Sequence, residues 1–186
     1  MRIISGKFRG KKLAQPTDNL TRPLKDIVKE SLFNLLNHSK SVKINMEESN
    51  VLDLFSGSGS FGLECISRGA KKVIFCENYT PALNILKKNI KSLDEEKKIE
   101  IINDDIFKKL KKKDFEVNFN LIFCDPPFKE LKINELLTLI NESDILSEDG
   151  IIIMHRNKKD NDNINQNYNI LLEKSYGLSK IFFIKL

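Results

Sequence analysis

Apolar and polar positions alternate along this chain in two regimes. From residue 51 onward, short apolar runs of buried-strand character recur at Val51–Phe55, Lys72–Cys76, Ile99–Ile102, Leu121–Cys124 and Gly150–Met154. Helix-length segments lie between them, at Phe61–Arg68, Pro81–Ser92, Ile106–Leu110 and Leu131–Asn141. Near-continuous apolar strands alternating with helices predict a doubly wound, parallel α/β sheet of Rossmann-like type with right-handed crossovers. Two last strands, about Tyr168–Glu173 and Lys180–Leu186, follow with no helix between them, so antiparallel pairing is expected there. The Asn- and Asp-rich stretch Asn157–Asn169 reads as a long loop.

Before residue 51 the pattern differs. Arg2–Ser5 and Lys11–Ala14 are short extended pieces around Gly6 and Gly10, which suits a β-hairpin. Pro23 stands where a helix tolerates proline, in the first turn. Leu24, Ile27, Val28, Leu32, Leu35 and Leu36 then repeat at helical spacing and predict one core-facing stripe. The polar stretch Asn37 to Asn50 reads as a linker. Two units are expected: a hairpin-plus-helix extension over residues 1–48 and a sheet domain over 49–186.

Composition narrows the class. A chain of 186 residues, 40 % hydrophobic with 5 Pro and 8 Gly, is long enough for a core and is neither disordered nor of low complexity. No apolar run nears the roughly 18 residues of a membrane span. No charged-then-apolar leader precedes the first structured residues, so a cytoplasmic protein is expected. Cys65, Cys76 and Cys124 form no CxxC pair and read as free thiols in a reducing compartment. The formal charge is +5. With 26 Lys against 5 Arg, 23 Ile, 19 Asn and 3 Ala, the lysine count reflects A/T-rich coding more than ligand preference. Its distribution says more. Residues 1–25 hold seven basic side chains against Asp18, or +6, while the rest hold 24 basic against 25 acidic, or −1.

The first strand of the sheet domain runs into Asp53-Leu54-Phe55-Ser56-Gly57-Ser58-Gly59-Ser60-Phe61-Gly62. A glycine-rich turn from strand to helix lets the backbone approach a ligand, and the helix N-terminus offers free N–H groups. The next strand ends in Glu77-Asn78, where a carboxylate can accept both hydroxyls of a ribose. The context marks a nucleoside-cofactor site at Phe55, Gly57, Gly59, Gly62, Glu77 and Asn78. The spacing alone does not separate a nicotinamide dinucleotide from S-adenosylmethionine. Asp53 is either a buried strand-end acid or an organiser of the turn. Asp105, before Ile106, can accept from an adenine amino group or cap the following helix.

Leu121–Cys124 leads into Asp125-Pro126-Pro127-Phe128, a turn that should face the same crevice, since ligands bind beyond the carboxyl ends of such strands. Its parts suit methylation of an exocyclic amine. The lone pair of such a nitrogen is conjugated with its ring. The Asp125 carboxylate and the Pro126 carbonyl can accept both N–H groups and turn the lone pair toward the methyl donor. The two prolines stiffen the backbone and remove competing donors. Phe128 offers a stacking face. A dinucleotide-dependent oxidoreductase has no use for this turn.

These motifs carry a resemblance. The opening Met1-Arg2-Ile3-Ile4-Ser5-Gly6-Lys7-Phe8-Arg9-Gly10-Lys11-Lys12-Leu13, Thr21-Arg22-Pro23 leading into Val28–Asn34, Asp53–Gly62, Asp125–Phe128 and Tyr176-Gly177 together resemble the RsmD-type bacterial methyltransferases of 16S ribosomal RNA. Leu24 stands where that family carries Thr, and Lys occupies several of its Arg sites. The resemblance implies S-adenosylmethionine as cofactor and the N2 amino group of a guanine as acceptor. It also implies 16S ribosomal RNA in the small ribosomal subunit as partner, and a monomeric enzyme is expected. Two other readings share parts of the pattern: a DNA adenine-N6 methyltransferase, which usually carries a sizeable target-recognition domain, and a non-catalytic RNA-binding assembly factor.

The arm residues Arg2, Lys7, Arg9, Lys11, Lys12 and Arg22, with Phe8 among them, suit phosphate contacts plus one stacking side chain. The run Lys108, Lys109, Lys111, Lys112 and Lys113 reads as a solvated helix end. His38 and His155 are too few and too separated for a metal site, and no metal is expected; His155, at a strand end, could line the crevice but reads better as a satisfied polar strand end.

Overall fold

The computed structural model describes residues 1–16, 24–112, 115–127, 132–160 and 164–186. Helix α1 (Asp26–His38) precedes strand β1 (Asn50–Leu54), α2 (Ser60–Ser67), β2 (Lys72–Cys76), α3 (Thr80–Lys91), β3 (Ile99–Ile102), α4 (Ile106–Lys112) and β4 (Phe119–Cys124). Then follow α5 (Ile133–Glu142), β5 (Leu146–Asn157), β6 (Asn169–Tyr176) and β7 (Ser179–Lys185). The strands form one seven-stranded sheet in the order β3-β2-β1-β4-β5-β7-β6. The first five are parallel, and β7 pairs antiparallel with both β5 and β6. The chain works outward from β1 to β3, then returns to the other side of β1, so the order reverses between β1 and β4. There Leu54 pairs with Cys124, and Phe55 and Asp125 leave the sheet side by side.

Alternate β1 side chains face opposite layers. Val51 packs with the N-terminal arm, α1, α2 and α3, whereas Leu52 and Leu54 pack with α4 and α5. The first layer is joined by aromatic rings. Phe61 of α2 lies between Phe33 of α1, at 5.1 Å, and Phe123 of β4, at 3.9 Å. Ile3 and Leu13 of the arm are buried in this layer, each contributing about 1.5–3 kcal/mol of apolar transfer.

The arm is held by α2. Arg2 and Lys12 form an antiparallel bridge, and Ile3 N–H donates to the Lys11 carbonyl at 2.9 Å. Glu64, fully buried on α2, accepts the N–H groups of Ile4 (2.8 Å) and Ser5 (3.0 Å) and the Arg68 Nε–H (2.8 Å). Lys29 Nζ, equally buried on α1, lies 3.7 Å from the same carboxylate and donates to the Arg2 carbonyl (2.8 Å) and Ser60 Oγ (3.2 Å). Burial pulls the Lys29 ammonium below its usual value; Glu64 and Asp26 oppose that shift. At the far end of α2, Ser67 accepts the Lys7 N–H on its carbonyl (2.7 Å) and the Phe8 N–H on its hydroxyl (3.0 Å). Gly6 makes this approach possible: its φ is +81°, and a Cβ would sit 1.8 Å from the Ser67 carbonyl oxygen.

Three expectations change here. Ile27 is 70 % exposed, not on the core face; Lys29 and Phe33 point inward instead, because α1 meets a buried carboxylate as well as apolar groups. The stretch 37–50 is more than a linker, since Val42, Ile44 and Met46 enter the core. Strand β5 begins at Leu146 rather than Gly150 and runs on through His155 and Arg156 to Asn157. The expected helix start at Pro23 lies outside the described residues; α1 begins at Asp26.

Removing Glu64 leaves the Lys29 ammonium and two arm amides buried without their acceptor. Glu64→Ala is expected to cost about 3–5 kcal/mol of unfolding free energy in urea denaturation. A loss under about 1 kcal/mol would contradict the role assigned to this carboxylate.

Candidate active site

The carboxyl ends of β1, β2, β3 and β4 open onto a cleft of about 300 Å³, within the range of small-ligand sites. Phe55, Glu77, Asn78, Asp105, Ile106 and Pro127 line it, as do Cys76, Asp104, Phe107 and Lys132, which the sequence reading did not single out. Phe107 carries a signal in hindsight: it follows Ile106 on α4 and adds aromatic surface to the same wall, with Lys132 Nζ 5.5 Å from its ring centroid.

The glycine turn owes its shape to carboxylates. Phe55 adopts φ +57° and Gly57 the same value, turning the chain sharply out of β1. Glu77 accepts the Gly57 N–H at 2.7 Å with one oxygen and the Tyr79 N–H at 2.8 Å with the other, tying the turn to the end of β2. Asp53 is buried and accepts the Gly62 N–H at 2.9 Å, so it is both a strand-end acid and the organiser of the turn. Burial raises the Asp53 pKa well above the usual carboxylate range; the Gly62 N–H opposes this, and Asp125 and Glu77 add to it. Gly59 (φ +81°) and Gly62 face Leu86 and Phe75, where a Cβ would come within 2.4 Å of the Leu86 side chain and 2.3 Å of the Phe75 ring. Asp53, Gly59 and Gly62 therefore shape the turn without lining the cleft. Asp105 accepts the Phe107 N–H at 2.9 Å, so it caps α4 and lines the cleft together.

Asp125 leaves β4 beside this turn, its N–H 3.4 Å from the Leu54 carbonyl. Its Oδ1 lies 2.8 Å from His155 Nδ1. Pro126 is buried and Pro127 faces the cleft. Arg156 Nη1 donates to the Pro127 carbonyl at 3.3 Å, while no donor among the described residues takes the Pro126 carbonyl. Phe128 and Arg22 lie outside the described residues. His155 is thus more than a polar strand end: it belongs to the site, and its separation in sequence from Asp125 hid the contact. Burial lowers its pKa, but the charge and hydrogen bond of Asp125 outweigh that, with Arg156 opposing, and the net shift is upward. Burial pushes all three thiols up, which disfavours the thiolate of Cys76 in the cleft wall. Among the described residues no group of three or more His, Cys, Asp or Glu could hold a metal ion, and no helix is long and apolar enough to cross a membrane.

The basic arm is partly self-engaged. Lys7 Nζ is 2.6 Å from Glu95, holding that carboxyl below its usual range, and Lys11 Nζ donates to the Ser92 carbonyl. Both ammonium groups lie within 6 Å of the Phe8 ring centroid, at 5.1 and 5.9 Å. Arg2 sits 3.6 Å from Asp26. Arg9 and Lys12 are exposed.

A switch-point cleft with carboxylates at the ends of β2 and β3, beside an acid-Pro-Pro turn on β4, defines a Rossmann-like methyltransferase. The chain belongs to the RsmD family: residues 1–185 match the family model described as "Conserved hypothetical protein 95". It is 35 % identical over 179 residues to the Ribosomal RNA small subunit methyltransferase D of Haemophilus influenzae, covering 96 % of this chain and 90 % of that one. The Escherichia coli protein of the same name is 32 % identical over 152 residues, 82 % of this chain and 72 % of its own. An Escherichia coli structure described as "Putative methyltransferase yhhF" superposes with a TM-score of 0.83 at 27 % identity, covering 99 % of this chain and 96 % of that one.

A raised His155 pKa means that the imidazolium–carboxylate pair stabilises the fold below pH 6.5, the ordinary histidine value, and that this contribution fades as pH rises through the folded-state value. An NMR titration should place His155 above 6.5 in the native protein and below it in Asp125→Asn, where burial and Arg156 act unopposed. An unchanged midpoint would contradict the pairing.

Proposed function

We propose that this protein transfers a methyl group from S-adenosylmethionine to the N2 amino group of a guanine in 16S ribosomal RNA, presented on the small subunit or its assembly intermediate. The observation that carries the reading is Asp125, two residues before the cleft-lining Pro127, with one oxygen on His155 and the other, Oδ2, without a partner among the described residues.

The cleft residues fit the cofactor. Glu77 has lone pairs left after its two backbone bonds and can accept ribose hydroxyls. Ile106 and Phe107 wall the space in which an adenine would lie, with Asp105 at its edge. Phe55, at the start of the glycine turn, lines the same cleft. S-adenosylmethionine bound there supplies a methyl group on a positively charged sulfur, open to attack by a nitrogen lone pair.

The chain's own residues do the rest. Oδ2 of Asp125 and the Pro126 carbonyl, neither with a donor among the described residues, are two acceptors on a stiff turn. Together they can hold both N–H groups of a guanine amine, draw the nitrogen out of conjugation, and let Asp125 take the proton it sheds. The gain is orientation and fixed charge rather than covalent catalysis. Phe128 would stack on the base.

The arm supplies the grip. Its basic tip contacts Ser67, the last residue of α2, whereas Met1 reaches Ser58 in the glycine turn. The eight residues of α2 separate these points by about 12 Å, so an RNA in contact with both is an extended ligand. Arg2, Lys7, Phe8, Arg9, Lys11, Lys12 and Arg22 are the residues proposed to hold RNA; Arg9 and Lys12 are exposed and have no charged partner among the described residues. We place this extension over residues 1–48 and the methyltransferase domain over 49–186, and take the working unit to be a monomer.

Asp125→Ala should lower methyl transfer to unmodified small subunits by at least about 1000-fold while cofactor affinity stays within about threefold; equal loss of both would contradict the role given to Asp125. Arg9→Gln and Lys12→Gln should each weaken RNA binding and reduce the salt slope, log K against log salt concentration, by about 1 without touching cofactor binding. An unchanged slope in both would move the RNA surface elsewhere.

A further inference from the structure

Just before its end at Asn157, strand β5 carries two consecutive buried side chains, His155 and Arg156, that both reach the Asp125-Pro126-Pro127 turn. Arg156 holds backbone: Nη1 donates to the Pro127 carbonyl, and Nη2 lies 3.5 Å from Asp160. The turn is already stiffened by two prolines, so this contact sets where its end lies. The Asp125 side chain is a separate matter. The torsion about its carboxylate is soft, and backbone rigidity does not fix it.

We propose that His155 is the positioning residue for Asp125, itself held in place by Ser179 of β7. This rests on the function proposed above. His155 Nδ1 lies 2.8 Å from Asp125 Oδ1, and Nε2 lies 2.9 Å from Ser179 Oγ. The antiparallel pairing of β5 with β7 sets Ile181 opposite His155 and Ser179 opposite Asn157, which puts the hydroxyl diagonally across from the ring.

An ionised carboxylate only accepts, so Nδ1 carries the proton of this hydrogen bond. Ser179 serves either charge state of the ring: its oxygen accepts from a protonated Nε2, and its O–H donates to a bare one. The ring therefore keeps its orientation, and Nδ1 keeps donating to Oδ1, through the titration of His155. With Oδ1 taken, one oxygen, Oδ2, is left for the amine, at a fixed tilt. A carboxylate free to rotate would present either oxygen at a range of angles. Displacements on the scale of 1 Å at a reacting group cost around 100-fold in rate.

The test compares native protein, His155→Leu, His155→Asn and Ser179→Ala in methyl transfer to unmodified small subunits. His155→Leu should lower kcat by roughly 10- to 100-fold while KM for RNA and the Kd for S-adenosylmethionine stay within about threefold. Asn carries its amide nitrogen where His carries Nδ1, so His155→Asn should regain most of the loss; Ser179→Ala should fall between. A kcat for His155→Leu within about threefold of native, or an Asn variant no better than Leu, would overturn the proposal. If the native protein itself transferred no methyl group, the proposed function would fail. The pair would then be judged by the crystal structures of the native protein and His155→Leu: a changed Asp125 carboxylate orientation supports positioning, and an unchanged one overturns it.

Discussion

A carboxylate cut off from water must be satisfied by protein donors, and at Glu64 that requirement organises half of the molecule. Its two oxygens collect donors from the arm, from α2 and, through Lys29, from α1. The helix that carries Glu64 also begins at the glycine turn. The placement of the arm and the shape of the cofactor cleft are therefore set by the same rod. Asn89 of α3 repeats the linkage on the other side: it bonds both backbone groups of Ala14 and the Ser58 carbonyl. The basic arm is thus a fixed part of the core surface, with its own side chains in the hydrophobic layer.

The same physics recurs at the cleft with a different outcome. Asp53, Glu77 and Asp125 surround one turn, close enough that the second and third raise the proton affinity of the first. Each is neutralised locally, Asp53 by the Gly62 N–H, Glu77 by two backbone donors and Asp125 by an imidazole. The first is spent on architecture. Glu77 lines the cleft with lone pairs left over, and Asp125 keeps Oδ2 without a partner among the described residues, as the proposed ribose and amine contacts require.

The parallel strands and helices were legible because buried strands write continuous apolar runs and the helices between them have their own period. The antiparallel end was legible from the missing helix before β7, whereas the order β3-β2-β1-β4-β5 was not, since strands alternating with right-handed crossovers fit more than one order. Phe55, Glu77, Asn78, Asp105, Ile106 and Pro127 came to one cleft because each stands at a strand end, a position sequence does reveal. Tertiary polar contacts left no such trace. Ile27 looked like a core residue and is exposed, while Lys29, outside the predicted stripe, is buried because Glu64 places a charge where α1 docks. His155 looked like an isolated strand end, since 30 residues separate it from the carboxylate it touches. Lys7 and Lys11 counted as free charge until α3 and the turn after it supplied Ser92 and Glu95 as partners.

Fold, cleft and family define a methyltransferase, and a guanine amine in small-subunit RNA is its proposed acceptor. The most direct measurement is mass-spectrometric mapping of methylated nucleotides in 16S ribosomal RNA from cells with and without this gene. The account predicts one N2-methylguanine that disappears on deletion, returns with the native gene and fails to return with Asp125→Ala. A 16S methylation map unchanged by deletion, or loss of a mark at an atom other than a guanine amine, would contradict it.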